Sequence, residues 1–159
     1  MSDEWETPWD VFNPLNDIFN FTIDAAATSA NRKVVQFWSA KDDGLQQSWA
    51  NEVVWCNPPY LKQAHYKWVG KAVESESLYG ITSCLLVPAA TGTKLWHEFI
   101  FPTASHILFF RGRIRFLMKG KPHCTPRFDS ALAVWNNGPH SFWELLDLLN
   151  GTNLGHVMV

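Results

Sequence analysis

Four consecutive residues, Asn57-Pro58-Pro59-Tyr60, follow an apolar run and combine hydrogen-bond acceptors with an aromatic ring. The Asn57 side-chain oxygen and the Pro58 carbonyl can accept both hydrogens of an exocyclic amine such as adenine N6, and so free its lone pair for attack. The prolines make the turn rigid and add no competing N–H donors. Tyr60 offers a face on which a base can stack, an interaction worth about 1–3 kcal/mol.

The electrophile that suits this arrangement is a methyl sulfonium held about 3–3.5 Å from the attacking nitrogen, because positioning supplies much of the rate. Neither a metal nor a covalent enzyme intermediate is needed. Because a base inside a duplex cannot reach such a turn, DNA as the substrate implies base flipping. The alternative interpretation of the tetrapeptide is a strand-terminating turn with a packed tyrosine.

A cationic segment is the second feature that could do chemistry. Residues 99–128 contain no Asp or Glu but carry six Lys or Arg residues: Arg111, Arg113, Arg115, Lys119, Lys121 and Arg127. The alternation of the first three predicts one cationic face if they lie on a strand, and residues 117–127 are predicted to be irregular. Such a segment could contact phosphates or form a solvated loop. Lys62, just after the tetrapeptide, is a further candidate for the DNA side.

The elements that must position these residues are predicted from periodicity and from turn signals. Strands are predicted at residues 21–25, 52–56, 81–87, 106–110, 131–135 and 154–159, and helices at 7–19, 63–75, 93–101 and 141–151. Thr7 is the predicted N-cap of the first helix, with Pro8 at its first position. Residues 28–51 are predicted to be irregular or to form short β-hairpin segments.

The alternation of strand and helix predicts an α/β protein with a mostly parallel sheet and flanking helices. Ligands of such sheets bind beyond the carboxyl ends of the strands. Residues 57–60 follow the strand predicted at 52–56, so their location agrees with their chemistry.

Length and composition set the outer limits. The chain has 159 residues, enough for one domain, and 47% apolar against 18% charged residues excludes disorder. No run is long enough to cross a bilayer and the amino terminus lacks a secretory signal, so we expect a cytoplasmic protein. Three widely spaced cysteines indicate neither a disulfide framework nor a zinc site. The net charge of −2 hides an acidic first third and a basic remainder.

The chain resembles the small phage- and prophage-type DNA N6-adenine methyltransferases, the Dam-like family, over nearly its full length. The stretches that carry the resemblance are residues 5–8 (WETP), 11–12 (VF), 21–27 (FTIDAAA), 43–45 (DGL), Trp49, 54–60 (VWCNPPY), 86–89 (LVPA) and 111–116 (RGRIRF). The resemblance implies a compact Rossmann-like methyltransferase fold, S-adenosylmethionine as cofactor and double-stranded DNA as partner. It also implies that Asn57, Pro58, Pro59 and Tyr60 form the catalytic motif.

Residues for the cofactor are implied by the same resemblance: Trp5, Thr7, Pro8, Asp24, Ala25 and Asn57. Asp24 could bind ribose hydroxyls or lie near the methionine moiety, or it could cap the next turn. Thr7 and Pro8 could equally form a helix cap, and Trp5 could belong to the core. One departure is that residues 24–28 (DAAAT) lack the glycine-rich turn usual after the first strand, so the cofactor must be held by a different backbone route.

Two other functions are open from the sequence. The same turn could serve methylation of another planar amine, such as cytosine N4, RNA adenine or a protein glutamine. The missing glycine turn would also suit a DNA-binding accessory protein with a degenerate methyltransferase fold. No obligate protein partner is evident in either case.

Overall fold

The computed structural model describes residues 5–61, 63–136, 143–145, 147 and 154–158. Within them the helices are α1 (Trp9–Phe19), α2 (Ala64–Tyr79) and α3 (Phe101–Thr103), the last continuing directly from a π-helical segment (Leu95–Ile100). The strands are β1 (Ile23–Asp24), β2 (Val53–Cys56), β3 (Thr82–Pro88), β4 (His106–Phe110), β5 (Leu117–Met118), β6 (Lys121–Pro122), β7 (Ser130–Trp135) and β8 (Gly155–Met158).

Six of these strands form one sheet in the order β1-β2-β3-β7-β4-β8. β1, β2 and β3 are parallel, whereas β7 is antiparallel to β3 and β4, and β8 is antiparallel to β4. The predicted α/β class is confirmed. The prediction of a mostly parallel sheet holds for four strands, since β1, β2, β3 and β4 run in the same direction. β7 and β8 run the opposite way, β7 because residues 111–129 contain no crossover helix and return the chain beside β4. The sheet is mixed.

Apolar side chains cover both faces of the sheet. Along β2, Val54 and Cys56 belong to the core on the α2 side, whereas Trp55 belongs to the core on the α1 side. All three are fully buried. This alternation follows from the two-residue period of a strand. It explains why the buried strands read as continuous apolar runs and could be recognised from sequence.

The start of α1 differs from its prediction. Pro8 is the N-cap residue, in an extended conformation, and the helix begins at Trp9 without a side-chain cap bond. The prediction that Thr7 caps the helix and that Pro8 is its first residue is therefore wrong. The physical reason is that the Thr7 hydroxyl is used elsewhere, as an acceptor for the Asn57 amide.

The later helices are close to their predictions. α2 begins one residue later than predicted and continues to Tyr79, where Gly80 ends it in a left-handed conformation (φ 63°). The predicted helix at 93–101 is present as the π-helical segment and α3. Residues 143–145 and 147 are helical, while most of the predicted span 141–151 lies outside the described residues. In the described part of the chain, no helix combines the length and apolarity needed to span a bilayer.

The cationic segment differs most from expectation. β4 ends at Phe110 and Gly112 turns the chain at positive φ, so residues 111–116 form a loop and not the strand on which Arg111, Arg113 and Arg115 would have shared one face. Residues 117–122, predicted to be irregular, form a two-stranded hairpin of β5 and β6. Its turn is made by Lys119 and Gly120, both at positive φ. We call residues 117–122 the cationic hairpin.

Candidate functional site

A cavity of about 650 Å³ opens at the carboxyl ends of β1 and β2. Four parts of the chain line it: the amino-terminal segment before α1, the end of β1 with the irregular residues after it, the end of β2 with the turn after it, and Trp68 of α2. It brings together seven of the residues predicted for the site: Trp5, Thr7, Asp24, Ala25, Asn57, Pro58 and Pro59. The location at strand ends is the one expected for ligands of α/β sheets.

Asn57 is oriented by the amino-terminal segment. Its Nδ2 donates hydrogen bonds to the Trp5 carbonyl and to Thr7 Oγ1, the latter at 3.2 Å. Both N–H groups of the amide are thereby used, so Nδ2 and Oδ1 cannot exchange places without losing these bonds. The buried Oδ1 has no hydrogen-bond partner among the described residues. The turn therefore holds a fixed, unsatisfied acceptor.

Asp24 places a buried carboxylate at the end of β1. Its Oδ2 accepts a hydrogen bond from the Lys33 backbone N–H at 2.9 Å, and its Oδ1 accepts a longer one from the Ala26 N–H at 3.5 Å. Burial raises the pKa of this carboxyl to about 6, against the lowering effect of the two N–H groups and the Lys33 charge. The group is both a wall of the cavity and the anchor of the chain after β1.

Residues 24–28 contain no glycine, but the backbone of Gly44 packs closely against the backbone of Ala25 at the end of β1. A Cβ at position 44 would lie 2.2 Å from the Ala25 carbonyl oxygen, so only glycine fits there without displacement. The Trp49 indole N–H donates to the Gly44 carbonyl at 2.9 Å and holds the segment in place. The glycine next to the strand end thus comes from a later part of the chain, in the predicted irregular stretch.

A buried ion pair in the cavity wall was missed by sequence reasoning. Lys33 Nζ lies 3.1 Å from Glu6 Oε1, and both residues line the cavity. Lys33 Nζ also lies 4.0 Å from the centre of the Trp9 ring. Because the two charges are 27 positions apart and neither belongs to a periodic pattern, no spacing signal could have paired them.

Tyr60 lies outside the cavity lining, in an aromatic cluster. Its ring stacks on Phe128 with centroids 5.3 Å apart and meets Trp5, Phe116 and His65 edge to face. Its hydroxyl is buried without a hydrogen-bond partner among the described residues, and burial raises its pKa. Pro8, another predicted cofactor residue, serves as the N-cap of α1 and does not line the cavity.

The predicted DNA-contacting residues lie on the surface. All six cations of residues 111–127 are exposed: Arg111, Arg113, Arg115, Lys119, Lys121 and Arg127. Arg113 Nε lies 3.5 Å from Asp129 Oδ1 in a solvent-exposed ion pair. None of the six lines the cavity. Lys62 lies outside the described residues.

Comparison with known proteins gives a family. Residues 1–141 match the protein-family model described as DNA N-6-adenine-methyltransferase (Dam). A DNA N-6-adenine-methyltransferase of Haemophilus phage HP1 is 30% identical over 118 residues, which are 72% of this chain and 66% of the relative. One of Escherichia phage T1 is 32% identical over 100 residues, 62% of this chain and 41% of the relative.

The chain therefore spans just under two thirds of the HP1 protein and less than half of the T1 protein. The family match itself extends over most of the chain, from the amino-terminal segment through β7, and includes all the cavity-lining residues. The chain belongs to the DNA N-6-adenine-methyltransferase (Dam) family.

Proposed function

We propose that this protein transfers a methyl group from S-adenosylmethionine to N6 of a flipped adenine in double-stranded DNA. The family supports the reaction class, and one observation carries the assignment to this site. That observation is the buried Asn57 Oδ1, which lacks a hydrogen-bond partner among the described residues while its amide nitrogen is held from two sides. A buried acceptor without a partner costs about 1–3 kcal/mol, a cost that an incoming amino group would relieve.

Asn57 and Pro58 would act together on the amino group. With Oδ1 of Asn57 and the Pro58 carbonyl each accepting one N6 hydrogen, the nitrogen is drawn out of conjugation with its ring. Pro58 and Pro59 offer no N–H groups that could compete for these acceptors. The residues therefore bind and orient the nucleophile, and no basic side chain is required to deprotonate it first. As the nitrogen–methyl bond forms, the methyl–sulfur bond would break and leave a neutral thioether, and the cationic nitrogen would then lose one proton to solvent.

The cavity fits S-adenosylmethionine in size and in chemistry. Its volume lies within the roughly 300–1,000 Å³ usual for small-molecule sites. Asp24 would accept hydrogen bonds from ribose hydroxyls, and the backbone at Ala25 and Gly44 would lie against the bound molecule. When bound, the cofactor supplies an electrophilic methyl carbon on a sulfonium. Trp5 and Thr7 would complete the wall on the amino-terminal side.

Tyr60 would provide the stacking face for the flipped base. Phe128 covers one face of this ring, so a stacked adenine would use the opposite face or displace Phe128. Burial raises the pKa of Tyr60 and so favours its neutral hydroxyl, which suits a stacking platform.

The exposed cations would contact the phosphates. Contacts of this kind supply most sequence-independent affinity for DNA. We include Lys62 among the proposed phosphate contacts because it lies two positions after Tyr60 in the sequence. We also propose that the parallel strands β1–β3 with their flanking helices belong to a Rossmann-like methyltransferase fold.

The test is a methylation assay with S-adenosylmethionine labelled in its methyl group and unmethylated duplex DNA, followed by digestion to nucleosides. We expect label in N6-methyladenine and none with Asn57→Ala, which should still bind cofactor and DNA. Label in N4-methylcytosine, or label only in parallel reactions given RNA or protein in place of DNA, would show a different planar amine as substrate. DNA binding without cofactor binding in calorimetry would support a degenerate accessory protein instead.

A further inference from the structure

The Glu6 carboxylate joins three segments that are distant in sequence. Its Oε1 pairs with Lys33 Nζ at 3.1 Å, and its Oε2 accepts the Gly120 backbone N–H at 3.0 Å. The Glu6 backbone also exchanges two hydrogen bonds with Leu117, at 2.9 and 2.8 Å. Gly120 and Leu117 belong to the cationic hairpin, so Glu6 ties the hairpin directly to Lys33.

The other end of this connection is the cofactor cavity. Glu6 and Lys33 both line it, and Lys33 is the only Lys or Arg among the described lining residues. The Lys33 backbone N–H holds Asp24 Oδ2 at 2.9 Å, so the same residue reaches the carboxylate at the end of β1. One continuous set of contacts runs from Asp24 to the hairpin turn.

The Lys33–Glu6 ion pair is almost completely buried. The side chains of Lys33 and Glu6 are 2% and 7% exposed. The cost of removing two charges from water commonly cancels their mutual attraction, so a buried ion pair is weak evidence for stabilisation of the fold. The better-attested role of such a pair is to fix one particular arrangement of the segments that carry it. The arrangement fixed here places Lys119 and Lys121, on either side of Gly120, relative to the cavity.

We propose that Glu6 is a positioning residue that transmits occupancy of the cofactor cavity to the cationic hairpin. The inference rests on the proposed function, because it takes S-adenosylmethionine as the molecule in the cavity. A Lys33 ammonium has three donors, and Glu6 takes one of them. The carboxylate of an amino-acid moiety can therefore add to Lys33 without displacing Glu6. A more completely bonded Lys33 holds Glu6, and through it Gly120, more rigidly.

Coupling of this kind is reciprocal. If the cofactor orders the hairpin, DNA binding no longer has to order it. The loss of conformational entropy on DNA binding is then smaller, so the cofactor raises the affinity for DNA. By linkage, DNA raises the affinity for the cofactor by the same factor. Glu6→Gln retains an oxygen for Gly120 but loses the charge for Lys33. Lys33→Met removes the ammonium and leaves the Glu6–Gly120 bond in place.

The experiment is hydrogen–deuterium exchange of peptides covering residues 117–122, with and without saturating S-adenosylmethionine, after calorimetry has established binding. In the wild-type protein we expect the cofactor to slow exchange at the hairpin several-fold and to tighten DNA binding several-fold. Glu6→Gln and Lys33→Met should lose both responses. For each variant, the dissociation constant for DNA should be about the same with and without S-adenosylmethionine. Glu98→Gln, a charge-matched change at an exposed position of the π-helical segment, should retain them.

A merely structural role would lower the melting temperature of Glu6→Gln and leave the cofactor response intact, and that result would overturn the inference. An unresponsive hairpin in a wild-type protein that binds the cofactor would overturn the inference alone. Absence of cofactor binding in calorimetry would reject both the inference and the proposed function. If Glu6→Gln fails to fold, the wild-type comparison of hairpin exchange with and without cofactor decides the matter.

Discussion

Thr7 Oγ1 accepts a hydrogen bond from Asn57 Nδ2 at 3.2 Å, across 50 positions of sequence. The residue that the local pattern assigns to a helix cap instead orients the Asn57 amide, in the turn proposed to be catalytic. The Trp5 carbonyl accepts the second amide hydrogen. The amino-terminal segment is thus part of the proposed amine-binding site, and it also forms a wall of the cavity.

Thr7→Val should lower kcat by about 2- to 10-fold, the range that corresponds to one hydrogen bond of 0.5–1.5 kcal/mol. The shape at position 7 is retained, but the Asn57 amide loses one of its two anchors and its Oδ1 is held less firmly. Steady-state kinetics against both substrates would measure this. Thr91→Val, at an exposed position, is the matched control. A rise in the KM for cofactor with kcat unchanged would show that Thr7 contacts the cofactor and does not position Asn57.

Cofactor affinity should depend on pH through Asp24. Its pKa is about 6, so the carboxylate is ionised at pH 8 and protonated at pH 5. Hydroxyl groups donate more strongly to the ionised form, and the dissociation constant for S-adenosylmethionine should therefore rise as the pH falls through 6. Calorimetric titrations between pH 5 and 8 would measure this. Asp24→Asn should bind more weakly at pH 8 and show a flat profile, and an identical pH dependence in both proteins would contradict the assignment.

Stability should change with pH in the opposite sense. Asp24 has a pKa of 3.8 when unfolded and about 6 when folded, so the folded protein binds more protons between these values. The free energy of unfolding contributed by this group is therefore greatest below pH 4 and is lost as the pH rises to 6, by roughly 3 kcal/mol for a shift of this size. Urea unfolding of the ligand-free protein at pH 4 and 7, compared with Asp24→Asn, isolates this contribution. A wild-type minus variant difference that does not change with pH would contradict the assignment.

The position of residues 57–60 at the end of a buried strand was recognisable from the sequence, because residues 52–56 are largely apolar and Pro58 and Pro59 end the strand abruptly. The physical basis is burial on both faces of the sheet, seen in Val54 and Trp55 packing into separate cores. The direction of β7 was not recognisable. The direction of β7 depends on the path of residues 111–129 between β4 and β7. The sequence pattern does not reveal this path, because it would be the same if β7 ran parallel or antiparallel to β4.

Other contacts in the cavity wall join residues that are far apart in the sequence, so local sequence patterns could not predict them. The Glu6–Lys33 pair and the approach of Gly44 to Ala25 join segments with no shared period. The Thr7 assignment failed for a related reason, since a threonine before a proline matches a cap pattern locally and only the fold brings Asn57 to it. A helix-cap pattern considers only hydrogen-bond partners near Thr7 in the sequence. It cannot include the Asn57 amide, which is 50 positions away.

Gly44→Ala should destabilise the protein and weaken cofactor binding. The added Cβ would lie 2.2 Å from the Ala25 carbonyl oxygen, which is backbone and cannot rotate away. Overpacking of this kind usually costs about 1–3 kcal/mol, and here the displacement falls on the wall of the cavity. Gly92→Ala is the matched control, because nothing lies within 4 Å of its added Cβ. Thermal melts and calorimetry would measure both effects, and equal behaviour of the two variants would rule out a role for the close approach.

Removal of a cation from the predicted DNA surface should change the salt dependence of binding as well as its strength. For Arg115→Ala, exposed on the loop after β4, we expect weaker DNA binding and a slope of log K against log salt reduced by about 0.9, the value for one lost phosphate contact. Fluorescence anisotropy from 50 to 200 mM salt would measure the slope. Lys94→Ala, an exposed lysine outside the cationic segment, should leave the slope unchanged.

Arg113 differs from Arg115 because Asp129 is beside it, 3.5 Å from its Nε. The carboxylate offsets part of the positive charge that DNA would meet, so Arg113→Ala should weaken DNA binding and flatten its salt dependence less than Arg115→Ala does. Asp129→Asn should strengthen binding several-fold at low salt and increase the slope, because it releases the guanidinium for phosphate contact. Equal slopes for Asp129→Asn and the wild-type protein, with Arg113→Ala also unchanged, would place Arg113 outside the DNA-binding surface.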